Sequence, residues 1–180
     1  PPTKSVFTAP PLKKEWEKGG HSVAVKTFTK VEHTLPSLVR HFYFFLKIIP
    51  AVLSADFIYA LDTFSVGWPA TCAAKIFGKK IIMRTGGDFL WEGFVERTGK
   101  LVLLKDFYLN RSDWSPKEQK IFNIMKWTLK NVSVLVFSTQ WQKDIWAGPY
   151  ELSDKKTVVI ENFFGEKLPS SLPQSKNFIA

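Results

Sequence analysis

Apolar residues in this 180-residue chain fall into short runs separated by longer segments with helical spacing. The runs that predict strands cover residues 22–28, 56–61, 80–84, 132–137 and 157–160. Most of these runs are continuous rather than alternating, which is typical of strands that are covered on both faces. Strands and helices in alternation predict an α/β fold that is Rossmann-like and doubly wound, with a mainly parallel sheet and helices on both faces.

Several of the predicted helices have clear start signals. Ser115-Pro116-Lys117-Glu118 combines a hydroxyl cap, a proline at the first helical position and the glutamate of a capping box. Residues 139–142 repeat the box directly after a strand. Pro36 opens a further helix, which Pro50 is expected to end. The side chains expected to face inward from that helix are Leu38, Val39, Phe42, Phe45, Leu46 and Ile49.

The two ends of the chain differ from the middle. A helix is predicted from Phe7 to Lys18, ended by a glycine pair, and no strand signal precedes it. We therefore expect the first strand of the sheet to be missing from this chain. Residues 166–180 are rich in proline, serine and lysine, which predicts a linker after a domain at 1–165.

Composition narrows the class of partner and the compartment. The net charge of +9 favours anionic partners, but the basic residues are spread along the chain, which is not typical of a nucleic-acid arm. The single cysteine, Cys72, excludes an internal disulfide and fits a cytoplasmic location. The longest apolar stretch, residues 42–53, is interrupted by Lys47 and Pro50 and is predicted to be too short to cross a bilayer.

Polar loops follow each of the last four predicted strands. They begin at Asp62, Arg84, Ser138 and Glu161. Since the carboxyl ends of parallel strands share one edge of a sheet, these loops should meet there, where open α/β sheets bind ligands.

The loop after the third run, Thr85-Gly86-Gly87-Asp88, has two open interpretations of similar weight. In one, the glycines let the backbone approach a ligand, Asp88 and Glu92 accept hydrogen bonds or a proton, and Trp91 with Phe89 offers an apolar platform for a sugar. In the other, the glycines make a turn, Asp88 caps a helix and Trp91 packs inward.

Other site classes lack their motifs. No G-x-G-x-x-G follows a strand, and neither a Walker loop nor a nucleophile elbow occurs. The histidines lack the spacing of metal ligands, so no metal is expected. The chain therefore carries no complete catalytic constellation of its own.

Four segments, in this order, resemble the amino-terminal domain of family 4 GT-B glycosyltransferases. They are GHSVAVKT from Gly20, DFIYALDTFSVGWPATCAAKIFGKKIIMRTGGDFLWE from Asp56, VSVLVFSTQWQKDI from Val132 and KTVVIENFF from Lys156. The resemblance covers roughly residues 1–165. It implies one half of a GT-B architecture, in which this half holds a glycan or lipid-linked acceptor and a carboxyl-terminal half binds the nucleotide-sugar.

The resemblance also implies roles for individual residues. Asp88 is the catalytic candidate because it would orient the acceptor, Asn162 would be the interdomain hinge, and Lys4, Ser5 and Arg84 would lie on the donor-phosphate side. Transfer would retain the anomeric configuration without a metal or other cofactor, with the nucleotide-sugar as substrate, in polysaccharide biosynthesis. The acceptor-binding residues would be Asp62, Thr85, Gly86, Gly87, Asp88, Trp91, Glu92, Ser138 and Gln140.

Departures from the family pattern set two further expectations. The loop at Thr85 lacks the histidine that many relatives place there, and the donor-binding half is not seen, so the chain alone should be an inactive fragment. The alternative function is a basic Rossmann-like module, without its own catalysis, that docks on a partner or on the inner face of an anionic membrane. Its docking face would be the side of the Pro36 helix that carries Arg40, Tyr43, Phe44, Lys47 and Ile48.

Overall fold

A computed structural model of the chain describes residues 4–7 and 10–162. Its centre is a six-stranded, all-parallel sheet in the order β2-β1-β3-β4-β5-β6. The strands are β1 (Lys4–Phe7), β2 (Ser22–Val25), β3 (Phe57–Ala60), β4 (Lys80–Thr85), β5 (Val134–Phe137) and β6 (Thr157–Val159). The predicted α/β fold with a parallel sheet is thus confirmed, within one or two residues at most strand ends.

Eight α-helices connect the strands in the described residues. They are α1 (Pro10–Lys18), α2 (Lys30–His33), α3 (Ser37–Ser54), α4 (Gly67–Ile76), α5 (Phe89–Thr98), α6 (Leu104–Phe107), α7 (Pro116–Asn131) and α8 (Gln140–Tyr150). The capping box at Ser115 is present, with Glu118 returning the hydrogen bond, and Thr139 caps α8.

Helices pack on both faces of the sheet, as predicted. On one face, Trp16 of α1 contacts the rings of Phe57 and Tyr59 in β3. Neighbouring residues in a strand point to opposite faces, so Ile58 and Ala60 face the other side, where α3, α4, α7 and α8 pack side by side. Burying each large apolar side chain in this layer contributes about 1.5–3 kcal/mol to folding.

The amino-terminal end corrects two predictions. Lys4–Phe7 forms β1 and lies between β2 and β3, so the strand position expected to be missing is occupied. The helix expected from Phe7 begins instead at Pro10. The strand escaped prediction because it is only four residues long and contains a lysine and a serine, too little for a hydrophobic pattern. The predicted linker, residues 166–180, lies outside the described residues.

Helix α3 corrects two more. It continues through Pro50 to Ser54. Its buried side chains are His41, Phe44, Ile48 and Val52, while most of the predicted inward residues face solvent. The pattern was misleading because the helix is apolar on nearly all sides, so periodicity does not select the packed face.

The two charged residues of α3, Arg40 and Lys47, lie at the margin of its packed face, and each contacts a side chain of the segment before the helix. Lys47 Nζ donates to the buried carboxylate of Glu32 at 2.9 Å, and the Arg40 guanidinium lies 5.5 Å from the centre of the Phe28 ring. The face predicted to be basic and solvent-exposed is therefore largely used in packing, with Phe44 and Ile48 in the core.

Candidate functional site

A small pocket opens at the carboxyl ends of β3 and β4, which we call the strand-edge pocket. Its volume is about 150 Å³. Five of the predicted acceptor-binding residues line it, together with Phe89 of the predicted apolar platform and two residues, Leu61 and Thr63, that were not predicted. The lining residues are Leu61, Asp62, Thr63, Thr85, Gly86, Gly87, Phe89 and Glu92. The topology therefore brings the polar loops after two strands to one place, as parallel pairing requires.

Gly86 and Gly87 shape the floor of this pocket. Both are exposed, and neither has a positive φ, so the glycines are not needed for backbone handedness. A Cβ added at Gly87 would lie 2.5 Å from Glu92 Oε1, whereas one added at Gly86 would meet nothing within 4 Å. Gly87 thus allows the Glu92 carboxylate to lie directly against the loop, and Gly86 leaves the pocket open.

Glu92 is the exposed acid of the pocket. Its Oε1 accepts a hydrogen bond from the Asp88 backbone N–H at 3.2 Å. No side chain or backbone donor in the described residues reaches Oε2. The carboxylate is therefore held in place through one oxygen and keeps the other for a ligand hydroxyl or amide.

Asp62 forms one wall of the pocket. Its Oδ1 accepts hydrogen bonds from the backbone N–H groups of Phe64 at 2.7 Å, Val66 at 3.0 Å and Gly67 at 3.4 Å. Three donors on one oxygen hold the turn from β3 into α4 in a fixed shape. A Cβ at Gly67 would lie only 2.0 Å from the Asp62 carbonyl oxygen, so this turn also requires a glycine.

Asp88 lies behind the loop rather than in the pocket. It is 2% exposed. Oδ1 accepts from the backbone N–H of Trp91 at 2.9 Å, which makes Asp88 the N-cap of α5. Oδ2 accepts from the hydroxyl of Tyr108 at 2.5 Å and from Nε1 of Trp146 at 2.8 Å. Both carboxylate oxygens therefore bind protein donors, and the structure gives no support to a direct contact between Asp88 and an acceptor.

The buried network around Asp88 has a definite electrostatic character. Burial raises the pKa of Asp88, against the hydrogen bonds from Tyr108, the Trp91 N–H and Trp146, which lower it, while the charge of Glu92 raises it further. Burial also raises the pKa of the Tyr108 hydroxyl, which lies 2.9 Å from that of Tyr150. The network joins α5, α8 and the segment after α6 through polar atoms that water does not reach.

Trp91 packs inward. Its ring is half-buried against the core, and Nε1 donates to the carbonyl of Val102 at 2.8 Å. Together with the cap at Asp88, this is the arrangement of the second interpretation of the loop. The exposed aromatic residue is instead Phe89, whose ring stacks on that of Phe64 with centroids 5.0 Å apart. Phe89 is the aromatic residue that lines the pocket, and buried Phe64 supports its ring from behind.

The predicted residues of the loop after β5 lie beside the site without lining it. Ser138 Oγ donates to the Thr85 carbonyl at 3.1 Å and so holds the end of β4. Gln140 is exposed and donates to Asp144 of its own helix at 2.7 Å. A buried residue that the sequence did not indicate, Gln142, donates to the Gly87 carbonyl at 3.0 Å. The sequence predicts only a capping-box role for Gln142, but its side chain binds Thr85 and Gly87 and does not return the bond to Thr139.

The residues predicted for the donor side separate. Arg84 Nη2 donates to Asn162 Oδ1 and to the carbonyl of Ile160, each at 2.9 Å, so the predicted phosphate residue and the predicted hinge residue contact one another. Lys4 and Ser5 lie within β1, and their role on the donor-phosphate side stays a prediction.

Two further observations concern other kinds of site in the described residues. Within residues 4–7 and 10–162, no group of three or more histidine, cysteine, aspartate or glutamate side chains could hold a metal ion. A larger groove of about 460 Å³ lies between α4 and α7, with Trp68 and Trp127 in its lining, but it is formed by helix surfaces and not by the strand ends.

No protein-family model matches the chain, and no curated protein is similar to it in sequence. The fold and the geometry of the strand-edge pocket are therefore the observations from which a function can be argued.

Proposed function

We propose that this chain is the acceptor-binding half of a retaining glycosyltransferase of the GT-B type, which moves a sugar from a nucleotide-sugar to a glycan or lipid-linked acceptor. The observation that carries the proposal is the strand-edge pocket, where a parallel sheet presents Glu92, two exposed glycines and an aromatic wall together. The order of the sequence segments quoted above supports the same function.

In this proposal the pocket positions the acceptor. The free oxygen of Glu92 accepts a hydrogen bond from an acceptor hydroxyl, and the ring of Phe89, stacked on buried Phe64, contacts an apolar face of the sugar ring. Transfer forms a bond from an acceptor oxygen to the anomeric carbon as the bond from that carbon to the nucleotide phosphate breaks, and the hydroxyl proton passes to the departing phosphate oxygen. Retention requires the acceptor hydroxyl to lie on the face of the donor sugar that the phosphate leaves. Holding the hydroxyl there is the contribution of this half, and it lowers the entropic part of the barrier.

Asp88 acts as a positioning residue in this account. It fixes the start of α5, and its backbone N–H holds Glu92 Oε1. Arg84 is held by Ile160 and Asn162 at the end of the sheet. In the proposal, this is where the second domain would contact it. The donor nucleotide, with no metal or other cofactor, belongs to that second domain.

The proposal is tested by turnover of a panel of nucleotide-sugars by the chain alone and by a two-domain protein in which a donor-binding domain follows it. We expect turnover in the two-domain protein only. Glu92→Gln should lower kcat/KM by about tenfold or more, because it removes a charged hydrogen-bond acceptor. Glu96→Gln, a matched exposed glutamate on the same helix, should leave turnover unchanged. Failure of any nucleotide-sugar to be consumed or bound would contradict the proposal.

A further inference from the structure

The outward side of α3 is an apolar surface. Six large apolar side chains on this side are each about half or more exposed, with Phe42 at 63% and Leu38 at 60%. We call them the α3 outer face: Leu38, Val39, Phe42, Tyr43, Leu46 and Leu53. No charged residue lies between them on that side of the helix, since Arg40 and Lys47 belong to the margin of the packed side.

Such a face is unusual for a helix on a water-exposed surface. A helix that is apolar on nearly all sides is ordinarily covered on all sides. In the described residues, α3 is the one helix long and apolar enough to cross a membrane by length and composition, and only 22% of it is buried. Its inner side holds Phe44, Ile48 and Val52 in the domain core, so the helix cannot leave the domain to span a bilayer.

The apolar surface continues onto α4. A groove of about 240 Å³ separates the two helices, with Phe42 on one bank and Ile76, which is 66% exposed, on the other. The sole cysteine, Cys72, also lines this groove. The exposed area is therefore a broad surface made by two helices rather than a single ridge.

Charge around this surface has one sign. Helices α3 and α4 contain Arg40, Lys47 and Lys75 and no aspartate or glutamate. Arg40, Lys75 and Lys79, which follows α4, make no salt bridge among the described residues. Lys79 Nζ instead donates to the Leu53 carbonyl at the end of α3. Lys75 Nζ donates to Asn131 Oδ1 and lies 5.6 Å from the centre of the Trp127 ring, both on α7. Arg40, Lys75 and Lys79 therefore keep a positive charge that no carboxylate of the described residues neutralises, whereas Lys47 is paired with Glu32.

We propose that the α3 outer face docks on an anionic membrane surface, with α3 lying in the plane of the lipid headgroups. Apolar side chains would enter the boundary of the acyl chains, while Arg40, Lys75 and Lys79 would contact lipid phosphates. A second copy of the chain fits less well, because a symmetric contact would bring the basic rims of two identical faces together. The proposal does not rest on the glycosyltransferase function.

The face differs from the one predicted from sequence. The predicted docking side contained Phe44 and Ile48, which are in the core. Most of the residues expected to be buried now lie on the surface, where Tyr43 and Leu53 join them: Leu38, Val39, Phe42 and Leu46. Packing of the inner side against the sheet leaves the more uniformly apolar side outside.

Co-sedimentation of the chain with vesicles tests the proposal. We expect binding to vesicles of phosphatidylglycerol in phosphatidylcholine, weaker binding to phosphatidylcholine alone, and loss of the difference at high salt. The double variant Phe42→Gln, Leu46→Gln should lower the partition coefficient by about tenfold or more, since two inserting apolar side chains are removed. The matched control, Leu101→Gln with Leu109→Gln, removes side chains that are 97% and 82% exposed elsewhere and should bind as the wild type does.

A second measurement keeps the test independent of folding. Lys75→Gln with Lys79→Gln leaves the apolar face intact and should weaken binding to the anionic vesicles only. Circular dichroism and urea midpoints establish that each variant is folded. Absence of vesicle binding by the wild type, or equal binding by the Phe42, Leu46 variant, would overturn the proposal. Concentration-dependent dimerisation that this variant abolishes, without vesicle binding, would assign the face to a second copy.

Discussion

The carboxylates of Asp88 and Glu92 lie in opposite environments, although the two residues are only four positions apart in sequence. Asp88 is 2% exposed, and both of its oxygens bind protein donors. Glu92 is exposed, lines the pocket and has one engaged oxygen. One short motif therefore contains both a buried structural acid and an exposed acid that lines the pocket, and the difference in burial separates their roles.

Removing the buried Asp88 carboxylate should have the largest effect on stability. Asp88→Ala deletes the N-cap of α5 and leaves Trp146 Nε1 buried without a partner, while the Tyr108 hydroxyl keeps only Tyr150. We expect the free energy of unfolding to fall by about 2–5 kcal/mol, the sum of one cap and one unsatisfied donor. Urea denaturation measures this.

Two variants control for the loss of charge alone. Asp88→Asn should lower the free energy of unfolding by less, about 1–3 kcal/mol, because the amide oxygen keeps the cap and only one buried donor loses its acceptor. Asp144→Ala removes an exposed acid of α8 and should change stability by no more than about 0.5 kcal/mol. Equal stability of Asp88→Ala and the wild type would show that the network is not a support.

A substitution in the wall of the pocket should also destabilise the fold. Gly67→Ala places a Cβ 2.0 Å from the Asp62 carbonyl oxygen, a backbone atom that cannot move aside easily. We expect a loss of about 1–3 kcal/mol from overpacking. Gly93→Ala, where nothing lies within 4 Å of the new Cβ inside α5, should instead stabilise by about 0.5–1 kcal/mol. Thermal melts of both variants compare the two sites.

Stability should depend on pH with opposite sign at two buried acids. The folded pKa of Asp88 is raised by burial, so its contribution is present at low pH and is lost as pH rises from the unfolded pKa through the folded one. Burial also acts to raise the pKa of Glu118, but hydrogen bonds from Arg97 and Ser115 outweigh it and lower the pKa. The Glu118 contribution is therefore lost as pH falls.

Difference curves against Asp88→Asn and Glu118→Gln isolate these two contributions. Unfolding free energies measured across acidic pH should diverge from wild type in opposite directions. Parallel curves for the two variants would contradict the assigned environments.

The smallest effect should come from the loop glycine. Gly87→Ala moves only the flexible end of Glu92, since the new Cβ would meet Oε1 at 2.5 Å. Stability should change by no more than about 0.5 kcal/mol, while the position of Glu92 changes. Gly86→Ala serves as the control, because open space surrounds the new Cβ. The affinity of both variants for an acceptor is then compared. Equal affinities would show that the position of Glu92 does not matter for acceptor binding.

Much of the fold could be predicted because its signals are local. The runs at β3 to β6 are continuous and apolar, and the capping box at Ser115 and the N-cap at Thr139 start α7 and α8 where expected. The first strand could not be predicted because Lys4–Phe7 is too short and too polar to show a hydrophobic pattern, and only its pairing with β2 and β3 reveals it.

The candidate site was predictable to a smaller degree. Parallel topology brings the loops after β3 and β4 together, so Asp62, Gly87 and Glu92 meet as expected. The burial of Asp88 was not predictable, because its partners Tyr108 and Trp146 lie 20 and 58 residues away in sequence. The exposed face of α3 was missed for a similar reason, since only packing selects one side of an apolar helix.

The central claim is that the strand-edge pocket binds the acceptor in front of Glu92. Titration of the isotopically labelled chain with a panel of glycans, followed by amide chemical shifts, tests this most directly. The account predicts saturable shifts at Asp62, Gly86, Gly87 and Glu92 that Glu92→Gln abolishes and Glu96→Gln retains. Saturable shifts confined to the Trp68–Trp127 groove, or no saturable shift with any glycan, would contradict it.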